Sequence, residues 1–155
     1  MQLSRSIVID KAKEEVWKFL AEPQNISKWD RGVRAVEAGQ TGVLPIQGFE
    51  FTTIGYDAAS QHGRMTYRIG QTDPNAGCRV DLISCDGNAR YFKSAYWLFR
   101  VAELPDDRAT RRSRVECLVH FDMRLRYVWL ALILFLMRSA LQRDLIGLKR
   151  VLESA

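Results

Sequence analysis

Residues able to carry out chemistry are few in this chain, and they do not form a recognised catalytic set. The two histidines, His62 and His120, fall in different predicted strands, and neither lies near cysteines or carboxylates at the spacing of metal ligands. The chain contains no G-x-S-x-G, no phosphate-cradling glycine loop and no H-E-x-x-H. We therefore predict no metal and no other cofactor, and we interpret His120, on the polar side of its strand, as a surface residue.

Hydroxyl groups are the remaining polar candidates for a binding cavity. Tyr67 comes first among them, followed by Tyr91, Tyr96 and Thr53. An enzyme that removes a proton from carbon needs a general base, or a donor that stabilises an enolate oxygen. Tyr67 can donate a hydrogen bond but supplies no base, so the sequence favours binding over catalysis and assigns no catalytic residue.

Length and composition indicate one globular domain over residues 1–155, with 47% hydrophobic and 26% charged residues. The net charge of +5 is not gathered in a long basic stripe, so no nucleic-acid partner is predicted. The densest basic group is Arg108, Arg111, Arg112 and Arg114. We interpret that group as a solvated hairpin tip, with contact to anionic lipid or phosphate as the alternative.

Three cysteines without a C-x-x-C pair favour reduced thiols and a cytoplasmic protein. The N-terminal residues include charges and no apolar run, so we expect no signal peptide.

A long C-terminal helix, residues 126–155, is the element that must position any site. Apolar residues recur there at three- and four-residue steps, which places them on one side of a helix, and no proline interrupts the run. The stripe consists of Tyr127, Leu130, Leu134, Met137, Leu141, Leu145, Leu148 and Leu152. Such a stripe needs a large partner surface, and the strand-like patterns upstream predict that this partner is a sheet.

The opposite face of the predicted helix is apolar only in its first turns. Its apolar residues are Val128, Trp129, Leu132, Phe135 and Leu136, and its later residues are Ser139, Arg143, Gly147 and Arg150. We interpret the later part as ordinary solvated surface. The apolar part needs a cover, for which the candidates are the loop 39–48, a homodimer contact or a membrane surface. The apolar run 127–137 is 11 residues long, too short for a bilayer span of about 20.

Upstream, the patterns predict one strand, two short helices and then six strands. The first strand is Leu3–Ile9, Asp10 caps the first helix or forms the turn before it, Pro23 ends that helix, and residues 24–28 form the second. The six strands are predicted at 32–38, 48–56, 62–70, 78–85, 89–102 and 115–125. The strand at 89–102 has no clear inward face, whereas the last strand alternates cleanly, with Cys117, Val119, Phe121 and Met123 opposite His120 and Asp122.

This order of elements predicts an α+β fold, in which a curved antiparallel sheet of about seven strands wraps around the long C-terminal helix. One helix cannot fill the concavity of such a sheet, so a cavity between them is expected. Its predicted ligand-binding residues are Met65, Tyr67, Ile69, Cys117, Val119, Phe121, Met123, Leu130, Leu134, Met137 and Leu141.

Several segments together match the pattern of a known superfamily: Ile7–Asp10, Glu15–Trp17, Phe19–Leu20, Trp29, Val33 and the helix end 144–153. In these segments the chain resembles the SRPBCC superfamily, also called START-like or helix-grip, and within it the polyketide cyclase/dehydrase and lipid-transport group. It implies a partner that is a small hydrophobic molecule, such as a lipid, an isoprenoid or a polyketide-like compound. The alternatives are a cyclase or dehydratase using the same cavity, and an interaction module using the apolar face at Trp129, Leu132, Phe135 and Leu136.

Overall fold

The computed structural model describes residues 1–38, 46–55, 63–85, 92–105, 111–124 and 131–154, with the backbone alone for 85 and 131–137. Within these ranges, seven strands and three α-helices follow one another in the predicted order. They are β1 (Gln2–Ile9), α1 (Lys13–Ala21), a 3-10 turn (Pro23–Asn25), α2 (Ile26–Trp29), β2 (Val33–Ala38), β3 (Glu50–Gly55), β4 (Arg64–Asp73), β5 (Gly77–Cys85), β6 (Phe92–Glu103), β7 (Ser113–Met123) and α3 (Ala131–Ser154).

All seven strands form one antiparallel sheet in the order β1-β7-β6-β5-β4-β3-β2. Successive strands β2 to β7 are neighbours, and β1 joins the outer edge of β7. Two register shifts in the β4–β5 pairing mark irregularities of the kind that bend a sheet. The predicted α+β helix-grip architecture, with short helices after the first strand and a long C-terminal helix, is confirmed.

The core lies between the inner face of the sheet and α3. On β7, Cys117, Val119 and Phe121 are buried, and they join one apolar cluster with Leu145 and Leu148 of α3. The predicted alternation of β7 is therefore confirmed, because the intervening side chains lie on the outer face. Met123 packs at the margin of the same cluster.

The end of α3 is fixed to the end of β1 by two polar contacts. The Lys149 ammonium donates to the Val8 carbonyl at 2.8 Å, and the Asp10 backbone N–H donates to the Glu153 carboxylate at 2.8 Å. Asp10 was expected to cap α1 or to form the preceding turn. The residue at the N-cap is instead Ala12, without a side-chain cap, so the capping alternative is wrong.

A close backbone crossing joins α2 to α3. A Cβ atom added at Gly147 would lie 2.6 Å from the carbonyl oxygen of Trp29, closer than such atoms approach. The prediction that Gly147 belongs to a solvated face is therefore wrong, because α2 packs against that position.

Several predicted residues fall outside the described part of the chain. Leu125, Arg126, Tyr127, Val128, Trp129 and Leu130 lie there, as do Tyr91 and most of the loop 39–48. For Leu132, Leu134, Phe135, Leu136 and Met137 only the backbone of α3 is described. Among the described helices, none is long and apolar enough to cross a membrane.

Candidate functional site

An apolar cavity of about 110 Å³ lies between the sheet, the α1–α2 segment and α3. The sheet contributes inward residues of β2 to β7, and α3 contributes one side of its middle turns. The described lining residues are Leu20, Ala21, Pro23, Ile26, Trp29, Asp30, Val33, Phe51, Thr53, Tyr67, Ile69, Cys78, Val80, Trp97, Phe99, Cys117, Leu141, Asp144 and Leu145. Two carboxylates are thus set in a wall that is otherwise mostly hydrophobic.

Aromatic rings in contact with one another form much of this wall. Tyr67 stacks on Phe51 with ring centroids 5.3 Å apart, and it meets Trp97 edge-on at 5.4 Å. Trp29 meets Phe99 edge-on at 6.1 Å. Such contacts restrict the rotation of each ring, so the five rings present a preformed apolar surface.

Strand pleating explains why these residues share one face. Tyr67 and Ile69 are two residues apart on β4, so their side chains emerge on the same side of the sheet. Across the ladder Val80 pairs with both Ile69 and Trp97, which aligns β4, β5 and β6 around the cavity.

Two hydroxyl side chains, those of Thr53 and Tyr67, are among the described lining residues. Thr53 is only 5% exposed, and its Oγ1 donates to the Met65 carbonyl at 3.5 Å. The Tyr67 hydroxyl lies 3.5 Å from the Met65 sulfur, which makes at most a weak acceptor.

Asp30 reaches the cavity from the end of α2. Its backbone N–H donates to the Ile26 carbonyl at 2.9 Å, which closes the last helical turn. Its carboxylate accepts the Gly32 N–H at 2.8 Å. Burial raises the pKa of this carboxyl, and the hydrogen bond from Gly32 opposes that rise.

Asp144 reaches the same cavity from α3. Burial, together with the negative charge of Asp30, raises the pKa of Asp144 to about 6. The charge of Arg143, the backbone N–H of Arg31 and the charge of Arg31 act in the opposite direction. Because the Asp30 charge disfavours ionisation of Asp144, the two carboxyls belong to one electrostatic group.

No lysine, arginine or histidine is among the described lining residues. Within the described ranges, no basic side chain forms an ion pair within 4 Å of Asp30 or Asp144. No group of three or more metal-ligating side chains occurs in those ranges either. The apolar wall can contact a hydrophobic group of a small molecule. The two carboxylates can accept a hydrogen bond or a proton from a polar group of the same molecule.

Four of the predicted ligand-binding residues line the cavity. They are Tyr67, Ile69, Cys117 and Leu141. Met65, Val119, Phe121 and Met123 do not line it. Leu130 lies outside the described residues, as do the side chains of Leu134 and Met137.

The register of β7 shows why Phe121 does not border the cavity. Cys117 pairs with Phe99, which lines the cavity, whereas Phe121 pairs with Ala95, which does not line it. There Phe121 contacts Phe92 at a ring distance of 5.8 Å. Phe121 therefore fills the core. Val119 pairs with the lining residue Trp97, but its own side chain is buried in the core cluster.

The tyrosine prediction needs one correction. Tyr96 faces outward, where its ring stacks on His120 at 5.0 Å and lies under the Arg79 guanidinium at 4.1 Å. Trp97 and Phe99 of β6 point into the cavity, so Tyr96, which lies between Ala95 and Trp97 in the strand, points to the opposite face of the sheet. Tyr96 therefore does not face the cavity.

Sequence reasoning missed both carboxylates. Asp144 follows Leu141 by three residues and precedes Leu148 by four, so its position within the apolar stripe was a readable signal. Asp30 carries no such signal, because its place in the cavity depends on how α2 packs against α3.

The comparisons with known proteins bear on the fold. No family model and no curated protein matches the chain. Among solved structures, it is similar to the Zhui aromatase/cyclase from Streptomyces sp. R1128, with 14% identity, a TM-score of 0.75, and coverage of 99% of this chain and 93% of that one. It is similar to TTHA0849 from Thermus thermophilus, with 13% identity, a TM-score of 0.73, and coverage of 99% and 98%.

A START superfamily protein from Mycobacterium smegmatis is also similar, with 12% identity, a TM-score of 0.69, and coverage of 99% and 97%. At these identities the likeness concerns the fold. The START-like, helix-grip fold that the sequence resemblance implied is confirmed.

Proposed function

We propose that this protein binds a small hydrophobic ligand in the cavity between its sheet and α3. The observation that carries the proposal is a partly open cavity with a preformed aromatic wall. Binding sites for small molecules are concave, largely apolar and furnished with a few convergent polar groups. The lining of five aromatic rings with Asp30 and Asp144 fits that description.

The volume of the cavity limits the size of the ligand. At about 110 Å³ it is smaller than typical drug-sized pockets of about 300 Å³ or more. It is closer to an engineered cavity of about 150 Å³ that holds benzene. The proposed ligand therefore has the size of a single aromatic ring, and a lipid, isoprenoid or fused polyketide would require the cavity to widen.

Native mass spectrometry of protein purified from cells tests this function by detecting retained small molecules. Val80→Phe narrows the cavity from β5, whereas Leu118→Phe adds bulk on the outer face of β7 and serves as the control. We expect Val80→Phe to weaken binding of a ring-sized ligand by at least about tenfold. Equal affinity in both folded variants would contradict binding in this cavity.

Asp144 favours a second candidate function, a cyclase- or dehydratase-type enzyme without a metal. A carboxylate with a pKa of about 6 is ionised at neutral pH and is more basic than an ordinary aspartate. It can remove a proton from a carbon next to a carbonyl group. Deuterium exchange into phenylacetone in D₂O, followed by NMR, tests this activity. Exchange no faster with the native protein than with Asp144→Asn would argue against the enzyme.

Two free thiols support the proposal that the protein works in a reducing compartment, as in the cytoplasm. Cys78 and Cys117 are both buried and unbridged. The proposal would fail if the protein isolated from its native cells carried these cysteines as disulfides.

A further inference from the structure

We propose that the cavity selects a small organic cation, such as a primary arylalkylamine, because its wall combines two carboxylates with five aromatic rings and no basic side chain among the described lining residues. This inference rests on the proposed ligand-binding function. It adds the charge of the ligand, which neither the fold nor the apolar lining specifies.

The carboxylates make a cationic ligand favourable. Asp30 and Asp144 receive hydrogen bonds from backbone N–H groups. The charges of Arg31 and Arg143 act on Asp144, but no described basic side chain forms an ion pair within 4 Å of either carboxylate. An ammonium group in the cavity could form such a pair, and its N–H groups can donate to the carboxylate oxygens.

The aromatic rings favour the same class of ligand. A cation is attracted to the face of an aromatic ring, most strongly to tryptophan and tyrosine. Trp29, Trp97 and Tyr67 all line this cavity, and Trp29 directly precedes Asp30 in the chain. In an arylalkylamine, the aromatic ring can pack against the apolar wall while the ammonium group lies next to the carboxylates of Asp30 and Asp144.

Other ligand classes fit less well. An anion would be repelled by both carboxylates, whose charges already oppose each other. A neutral hydrocarbon would displace water from them without offering a hydrogen bond, and an unpaired buried polar group is costly.

The affinity for an amine should depend on pH. The charged groups near Asp144 are Asp30 and Arg31 after α2 and Arg143 on α3, while the Cys117 thiol of β7, whose pKa burial raises, stays neutral. Because the pKa of Asp144 is about 6, its carboxyl gains charge as the pH rises through that value. An arylalkylamine stays protonated at neutral pH, so its binding should strengthen from pH 5 to pH 7.5.

Three probes of similar shape test the charge preference by isothermal titration or NMR. They are 2-phenylethylammonium, the neutral propylbenzene and the anionic 3-phenylpropionate. We expect the cation to bind at least about tenfold more tightly than either analogue. Asp144→Asn should remove most of this preference for the cation and most of its pH dependence. Asp30→Asn should also reduce the preference for the cation.

Glu14→Gln, which removes an exposed carboxyl of α1 that does not line the cavity, is the control for net charge and should leave the preference intact. Propylbenzene binding as tightly as the cation would overturn the proposal while leaving ligand binding standing. A preference unchanged in folded Asp144→Asn, or equally reduced in Glu14→Gln, would also overturn it. Binding of none of the three probes would instead count against the proposed function itself.

Discussion

Replacing Asp144 by asparagine should stabilise the folded protein at neutral pH and have a much smaller effect in acid. The pKa of this carboxyl rises from 3.8 to about 6 on folding, mainly because of burial and the charge of Asp30. Between these values the folded chain holds a proton that the unfolded chain has lost. Stability therefore falls as the pH rises from about 4 to about 6, and above that range the folded state carries the full cost of the ionised group. Asparagine carries no charge at any of these pH values.

The magnitude follows from the two pKa values. Their difference corresponds to at most about 3 kcal/mol, since one pKa unit is about 1.4 kcal/mol. Asp144 is only half-buried, so solvent screening reduces the effect, and we expect a gain of about 1 kcal/mol at pH 7.5. This figure already includes the relief of the repulsion between Asp144 and Asp30, which contributes to the raised pKa.

Urea unfolding of both proteins at pH 4.5, 6.0 and 7.5 measures this gain as the difference in the free energy of unfolding. The difference should grow with pH in favour of Asp144→Asn. Glu14→Gln, which removes an exposed carboxyl, controls for the change in net charge. A constant difference across the three pH values, or a variant less stable than the native protein at pH 7.5, would refute the reasoning.

Three further predictions concern other parts of the chain. Gly147→Ala should destabilise the protein by about 1–3 kcal/mol, because the new methyl group meets the Trp29 carbonyl. In the control Gly63→Ala the new methyl group meets nothing within 4 Å, so stability should change little. Equal effects of the two substitutions in urea unfolding would contradict the tight α2–α3 crossing. The Cys78 and Cys117 thiols, whose pKa values burial raises, should resist a thiol reagent until the protein unfolds, and rapid labelling of the folded protein would contradict their burial. The sequence also predicts that the apolar face at Trp129, Leu132, Phe135 and Leu136 is covered. If a second copy or a membrane covers it, the double variant Leu132→Glu, Phe135→Glu should become a monomer in light scattering or lose liposome binding. An unchanged mass and an unchanged lipid affinity would exclude both the dimer contact and the membrane contact.

The sequence predicts the fold well where one periodicity dominates. Alternation along β7 identifies Cys117 and Phe121 as inward residues, because a strand facing both core and solvent must segregate its side chains. β6 has aromatic residues on both faces, so its sequence alone does not show that Trp97 points inward and Tyr96 outward. Only pairing with its neighbours decides that orientation.

The site was less predictable than the fold. Its boundary depends on where α2 crosses α3, and that crossing is fixed by the absence of a side chain at Gly147, which in sequence looks like a surface position. The same crossing brings Asp30 of the first half of the chain close to Asp144 near its end. Local sequence patterns do not report a contact of that range.

The tryptophan side chains offer the most direct test of ligand binding in the cavity. Trp29 and Trp97 line it, whereas Trp17 does not line it but packs against the cluster of Phe51, Ile69 and Cys78. In an NMR titration with 2-phenylethylammonium or propylbenzene, the indole N–H resonances of Trp29 and Trp97 should shift in a saturable way, and both should shift more than that of Trp17. Saturable binding that leaves both lining tryptophans unperturbed would contradict the account.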